Sequence, residues 1–343
     1  MNLLILHFFR TYIRIGLFCY YKSFKVYDIE NVPKDKPVLF LSNHQNALID
    51  PLLIATKSGR FSYFLTRASV FNKPIISKFL YTLHLLPVYR VRDGWSSISN
   101  NNSIFKKCTD LLNENNAIVI FPEGNHHINR TVRPLSKGFT RIVFETLERY
   151  PEADLQIIPV GLNYAKAENF VDSTSVYFGK PISVKKYLSK DKHEAISSLK
   201  KDVFEALTAL TTHIPSENYN ETLRELESRN VDFLNPETVN SCIASNFEIC
   251  VKPEKVKTSF FRRLVNKILI ANFFLPFWVW RSLVKPKIKE VEFIATFRFA
   301  VYITIFPIWF FVILTMLIVL FGWQLALCYA VGVSVMALYY VKA

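Results

Sequence analysis

Two polar stretches carry the residues best suited to chemistry. In "LSNHQNALIDPLLIA", residues 41–55, His44 stands in a Ser-Asn-His-Gln-Asn cluster, and Asp50 is the nearest carboxylate, with no acid between them. A histidine can take a proton near neutral pH if an acceptor fixes its tautomer and stabilises the imidazolium. His44 and Asp50 supply those two parts of a triad, the base and its orienter. No serine or cysteine nucleophile accompanies them, and G-x-S-x-G is absent, so the attacking group would be a substrate hydroxyl. Asp50 is also followed by Pro51, the pattern of an N-cap with proline at the first helical position. The sequence therefore expects Asp50 to cap a helix with one oxygen and face His44 with the other.

The second stretch is "FPEGNHHINRTVRPLSKGF", residues 121–139. Here Glu123 and Gly124 precede His126, His127, Arg130, Arg133 and Lys137. A loop rich in arginine and lysine suits a phosphate. The paired histidines raise the question of a metal, but there is no H-E-x-x-H and Glu123 is the one acid of the cluster, so no metal is expected. A third stretch, "LPVYRVRDG" (86–94), ends a strand-like run in Arg90, with Arg92 and Asp93 beyond.

These stretches need a scaffold. Short apolar runs at 38–41, 62–65, 117–121, 155–160 and 175–178 read as buried strands, and helical patterns fall at 51–57, 74–85, 103–113, 138–150 and about 192–213. Strand and helix alternate, which implies an α/β fold: a mostly parallel sheet with helices on both faces. Ligands bind beyond the C-terminal strand ends of such sheets, which is where the polar motifs lie.

Both ends of the chain read as membrane segments. No charged residue lies between Arg298 and Lys342. A run of that length fits a C-terminal transmembrane hairpin of two helices turning near Phe321-Gly322-Trp323-Gln324. Arg281, Lys285, Lys287, Lys289 and Arg298 place its near side in the cytoplasm. Residues 268–280 are apolar but too short to span, interrupted by Pro276 and flanked by basic residues, as an interfacial segment would be. At the N-terminus, His7, Arg10, Thr11 and Arg14 form one polar face of an otherwise greasy, amphipathic helix. The expected organisation is 1–22 interfacial helix, 23–213 catalytic α/β domain, 214–262 polar helical or linker region, 263–297 basic-apolar interfacial segment and 298–343 two membrane helices.

Bulk composition agrees. Half of the 343 residues are hydrophobic and 15% aromatic, which excludes a disordered chain. A net charge of +14 implies an anionic partner such as a membrane surface or a phosphorylated substrate. Nucleic acid is not expected, because the basic clusters adjoin apolar segments rather than a recognition helix. Cys19, Cys108, Cys242, Cys250 and Cys328 are scattered without a C-x-x-C, so they read as unpaired thiols in a reducing compartment.

Together the motifs resemble the glycerophospholipid acyltransferase family, which includes glycerol-3-phosphate and lysophosphatidic acid acyltransferases. "NHQNALID" resembles its first block, "LPVYR" the second, "FPEG" with "SKG" the third and "IIPVGLNY" the fourth, in order over roughly residues 20–185. The resemblance implies that His44 deprotonates a glycerol hydroxyl, that Asp50 orients it, and that the hydroxyl attacks the thioester of acyl-CoA or acyl-carrier protein without an acyl-enzyme. It implies that Arg90 and Lys137, with Arg133, bind the acceptor's phosphate, that Glu123 and Gly124 shape the acceptor site, and that Pro159 lies nearer the acyl donor. No cofactor is implied beyond that co-substrate. Five residues separate His44 from Asp50 where four are common, which resembles a longer-spaced subgroup, and Asn125 stands where Thr or Ser commonly follows the third block. Acylation of a non-phosphate lysolipid, a thioesterase and a non-catalytic membrane adaptor on the same scaffold remain alternatives.

Overall fold

The computed structural model of the chain describes residues 2–89, 101–250 and 260–343. Arg90, Arg92 and Asp93 lie outside the described residues, as do Lys252, Lys255 and Lys257. The described residues form an eight-stranded sheet of β1 (Ser23–Tyr27), β2 (Val38–Ser42), β3 (Ser62–Arg67), β4 (Leu85–Val88), β5 (Ala117–Ile120), β6 (Gln156–Tyr164), β7 (Ser173–Phe178) and β8 (Ile182–Ser183), in the order β1-β7-β6-β2-β5-β3-β4, with β8 on β6. β2 pairs in parallel with both β5 and β6, β3 with β4 and β5, and β1 with β7; β7 and β8 run antiparallel to β6.

Strand alternation divides the core between the two faces. Leu39, Leu41, Ile118, Ile120 and Ile157 point to one face, covered by α4 (Asn101–Asn113), α5 (Gly138–Arg149) and α6 (Lys192–Leu210). Val38, Phe40, Val119, Ile158 and Val160 point to the other, covered by α1 (Asn2–Tyr20) and α2 (Ile49–Lys57). α3 (Pro74–Thr82) lies between β3 and β4 in sequence. The mostly parallel α/β sheet with helices on both faces is thus the fold. Pro159 sits inside central strand β6, opposite Leu41 of β2. Its missing N–H is tolerated because it falls between the β7 pairing, which starts at Val160, and the β8 pairing, which ends at Ile157.

Residues 214–250 pack as a small unit. α7 (Tyr219–Ser228) and α8 (Pro236–Ala244) bury Ile214, Leu226, Val231, Val239 and Cys242 together. One expectation is corrected here: Cys242 and Cys250 form a disulfide, with Cα atoms 4.7 Å apart. The chain folds back after α8 through Asn246 and Phe247, both at positive φ, and no sequence spacing announced that return. Cys19, Cys108 and Cys328 are free.

α9 (Phe260–Asn272) and α10 (Phe274–Trp278), continued in helical turns to Lys287, meet at 91°. α11 (Ile294–Phe321) and α12 (Trp323–Lys342) join at Gly322, whose φ of 86° suits glycine. By length and composition, Leu3–Tyr20, Val291–Phe321 and Trp323–Lys342 could each cross a membrane. Both ends of the α11–α12 pair return to the α/β domain: Arg298 donates to the Tyr20 hydroxyl (2.7 Å) and Lys342 to the Tyr21 carbonyl (2.8 Å). On α1, Arg10 and His7 pack on Phe61, while Leu4, Phe8, Ile15 and Phe18 face outward.

Candidate active site

The C-terminal ends of β2, β5 and β3 lie side by side because these strands are parallel, and each delivers one part of the site. β2 ends at Ser42 and releases Asn43, which clamps β6 in both directions: its Nδ2 donates to the Leu162 carbonyl (3.0 Å) and its Oδ1 accepts from the Leu162 N–H (2.8 Å). That clamp fixes the start of the loop carrying His44. The loop then closes through Ala47, at φ 33°, and enters α2. A left-handed alanine costs roughly 1–2 kcal/mol, and this turn is how five residues fit between His44 and Asp50.

His44 Nδ1 lies 2.8 Å from Asp50 Oδ2. The same oxygen accepts from the Asn46 N–H (2.8 Å), and Oδ1 accepts from the Tyr164 hydroxyl (2.5 Å). Asp50 is fully buried at 0% exposure, so these donors replace the water that an ionised carboxylate requires. The expected N-cap is corrected: α2 begins at Ile49 with Leu48 as its cap residue, and Asp50 lies in the first turn. Its carboxylate bonds backward, to the loop, rather than to the helix N–H groups ahead. With Nδ1–H committed to Asp50, His44 Nε2 is the basic nitrogen, and it makes no hydrogen bond to a described residue. The imidazole is 14% exposed and stacks on Phe121, ring centroids 4.0 Å apart and planes at 20°.

Tyr164 is the residue the motif reading quoted without giving it a role. Ile158, Val160, Leu162 and Tyr164 share the β6 face that packs on α2, and this alternation carries the last hydroxyl to Asp50. Extending the strand beyond Val160 would have found it. Burial and the neighbouring Asp50 charge drive the Tyr164 hydroxyl well above its ordinary pKa, so it is a donor throughout the useful pH range.

The loop after β5 braces His44 from the other side. Glu123 is 3% exposed at its side chain and bonds Arg133 Nε (2.7 Å) and the His44 backbone N–H. Burial pushes its pKa up, against the pull of Arg133. Arg133 also donates to Asn125 through its side chain (2.6 Å) and carbonyl. Gly124 turns the chain at φ 81°. Arg130 is buried too, donating to the carbonyls of Tyr164 (2.7 Å) and Ala165 (2.8 Å) beneath Phe233. Two of the basic residues expected to meet a phosphate are therefore engaged with protein groups. Lys137, at the start of α5, is exposed, and its ammonium bonds no described residue. Arg67, which the motif reading passed over, ends β3 at the same sheet edge, is exposed, and lies near enough to His126 to depress its pKa. The signal for it was its position as the last residue of a parallel strand.

The approach to α11 roofs this edge. Leu48 N–H donates to Thr296 Oγ1 (3.1 Å) and Ile128 N–H to Glu292 Oε1 (3.1 Å). The His126 ring stands edge-on to His44 at 5.6 Å and to Phe293 at 4.8 Å. His126, Glu290 and Glu292 bring one nitrogen and two carboxylates within 4.8 Å, the arrangement among the described residues that could hold a cation. Glu290 is exposed and Glu292 already accepts from Ile128. Burial chiefly, helped by His44, lowers the His126 pKa, so its ring is neutral at pH 7.

Residues 23–163, from the first strand nearly to Tyr164, match the family model described as Acyltransferase. A stretch of 103 residues is 33% identical to an uncharacterised acyltransferase of Schizosaccharomyces pombe, covering 29% of this chain and 15% of that one. Over 118 residues the chain is 27% identical to glycerol-3-phosphate O-acyltransferase 1 of Saccharomyces cerevisiae, covering 33% of this chain and 16% of the yeast protein. The chain therefore matches only a small part of the length of these relatives. Among solved structures, the 1-acyl-sn-glycerophosphate acyltransferase of Thermotoga maritima aligns with a TM-score of 0.39 at 17% identity, covering 54% of this chain and 70% of that one.

Proposed function

We propose that the chain is a membrane-bound O-acyltransferase that moves a fatty acyl group from a thioester, acyl-CoA or acyl-carrier protein, to the hydroxyl of a glycerol phosphate or lysophospholipid. The observation that carries this reading is a histidine whose Nδ1 is tied to a buried, triply bonded Asp50 and whose Nε2, among the described residues, bonds no side chain, nucleophilic or otherwise. Such a group can act as a base on a hydroxyl brought by the substrate.

The step balances without a cofactor. His44 Nε2 takes the hydroxyl proton as the oxygen bonds to the thioester carbonyl carbon. The tetrahedral intermediate collapses, the C–S bond breaks, and the thiolate leaves with the proton from His44. Asp50 orients the ring and stabilises the imidazolium across its 2.8 Å contact. Among the described residues Arg67 and Lys137 are cations at this edge that bond no protein group, and with Arg90 they are assigned to the acceptor phosphate. Glu123 and Arg133 hold the His44 loop in place.

The apolar helices anchor this edge at a bilayer, with both ends of the α11–α12 pair on the side of the catalytic domain. The basic residues before α11 make that side cytoplasmic by the positive-inside bias. The Cys242–Cys250 disulfide pulls the other way, because cytoplasmic thiols are normally kept reduced. Labelling these two thiols in intact cells decides the side.

The test is thioester cleavage by the full chain in membranes, with glycerol 3-phosphate, lysophosphatidic acid and lysophosphatidylcholine offered in turn. Acceptor-dependent release of thiol with a new acylated lipid is expected for the phosphate-monoester acceptors. Release that ignores every acceptor would make the protein a thioesterase, and no release at all would remove the enzymatic reading.

A further inference from the structure

A cavity of about 360 Å³ lies between α1, α9, α11 and α12, away from His44 and lined almost wholly by hydrocarbon and aromatic groups, among them Ile15, Phe273, Phe306, Phe310 and Ala337. Two of its three tyrosine hydroxyls are already paired with protein, since Tyr302 donates to the Cys19 carbonyl (3.1 Å) and Tyr12 to the Ile303 carbonyl. A cavity so lined stays dry or takes an apolar guest. Along α11 it runs from Tyr302 to Phe311, about 14 Å at the helical rise. That is about half of the roughly 30 Å hydrocarbon core of a bilayer, the depth of one leaflet.

The domain-side end of the slot is cationic. Arg262 sits 5.5 Å from the Tyr340 ring and donates to the Tyr340 carbonyl (3.1 Å). Arg298 lies 5.8 Å over Phe170, and Lys342 follows lining residue Val341. Among the described residues, no carboxylate lies within ion-pair distance of Arg262, Arg298 or Lys342, and Asp172 meets the Arg298 charge only from further off. Among the described residues these three cations have only neutral acceptors, Arg298 donating to the Tyr20 hydroxyl and the Asn169 carbonyl and Lys342 to the Tyr21 carbonyl, so their positive charge at one end of an apolar slot about one leaflet deep is complementary to one kind of molecule.

We propose that the slot holds one hydrocarbon chain of an anionic bilayer phospholipid, with its phosphate on Arg262, Arg298 and Lys342. The site is separate from the acyl-transfer centre and does not depend on that assignment. It is tested without an acyl donor. The full chain, purified in mild detergent, is offered equal amounts of phosphatidic acid and phosphatidylcholine with the same chains and weighed by native mass spectrometry. One retained phosphatidic acid is expected. Ser334→Trp and Ala337→Phe, which fill the slot from its lining, should lower retention at least tenfold, while Val335→Trp, outward and outside the lining, should leave it unchanged. Arg262→Gln leaves the slot open and should narrow the preference for the anionic lipid about fivefold, which decides the matter if the filled variants melt early. Equal retention of both lipids by the wild-type chain, or unchanged retention by folded Ser334→Trp, would overturn the proposal.

Discussion

Replacing Tyr164 with Phe removes one hydroxyl and keeps a ring packed among Ile158, Leu162 and α2. The lost bond ends on a carboxylate with 0% exposure, whose other donors are the Asn46 N–H and His44 Nδ1. No water can replace it without opening the core. Hydrogen bonds to charged groups contribute roughly 1.5–3 kcal/mol. At about 1.4 kcal/mol per factor of ten, this sets an upper bound of roughly a hundredfold on the loss of kcat through a misoriented His44. The same loss should lower thermal stability by several degrees, given roughly 2–4 °C per kcal/mol for a domain of this size. Tyr164 bonds Asp50 rather than the open side of His44, so KM for the acceptor should stay within about twofold while kcat falls. The decisive assay is a cycle with His44→Ala. If Tyr164 acts through Asp50 on the imidazole, Tyr164→Phe should cost nothing further in the His44→Ala background. A full additive loss there, or an unchanged kcat in the single variant, would refute the chain Tyr164–Asp50–His44.

Three further outcomes follow from the geometry. Arg67→Gln should raise KM for a phosphate acceptor about tenfold in steady-state kinetics, with kcat nearly unchanged, since the residue lies at the strand edge without touching His44 or Asp50. Arg133→Met leaves Glu123 buried with one donor, and breaking such a pair costs roughly 3–5 kcal/mol; denaturation in detergent should show a loss of that order, partly relieved below the Glu123 pKa, which burial already raises. Burial pushes the Asp172 carboxyl up to about 6 from 3.8. A raised folded-state pKa means that the native protein binds the extra proton, so stability from this group is greatest at low pH and falls as pH rises through the window from about 4 to about 6, by roughly 3 kcal/mol at 1.36 kcal/mol per unit. Asp172→Asn should flatten that part of the stability–pH curve.

Much of the scaffold was legible because buried parallel strands are short apolar runs bounded by polar turns, and β2, β3, β5 and β7 each announced themselves that way. β1 was less visible: Ser23–Tyr27 alternates polar and apolar residues at the sheet edge. The apolar run of β6 was read as ending at Val160, where Gly161 and Asn163 break it, whereas β6 continues to Tyr164 by pairing with β7. That extension was the physical reason the third member of the site went unassigned. His44 and Asp50 were recognisable as a pair from residue type alone. The direction of the Asp50 carboxylate was not, because the cap pattern of Asp-Pro is local, while the bonds that win come from Asn46 and from a strand more than a hundred residues away. Arg130 and Arg133 illustrate the same limit: a basic loop reads as a ligand site, yet burial of neighbouring carbonyls and of Glu123 claims both guanidinium groups.

The central claim is that His44 activates the acceptor's hydroxyl directly, with no acyl group passing through the protein. It is tested most directly by following thiol release from a labelled acyl thioester with full-length wild-type and His44→Ala protein in vesicles, while weighing the intact chain. The account predicts that wild type releases thiol only when a phosphate-bearing acceptor is added, that the protein never gains an acyl mass, and that His44→Ala slows transfer by at least about a hundredfold, the range expected for a lost general base. Label on the protein before acceptor is added, or His44→Ala turning over at the wild-type rate, would contradict it.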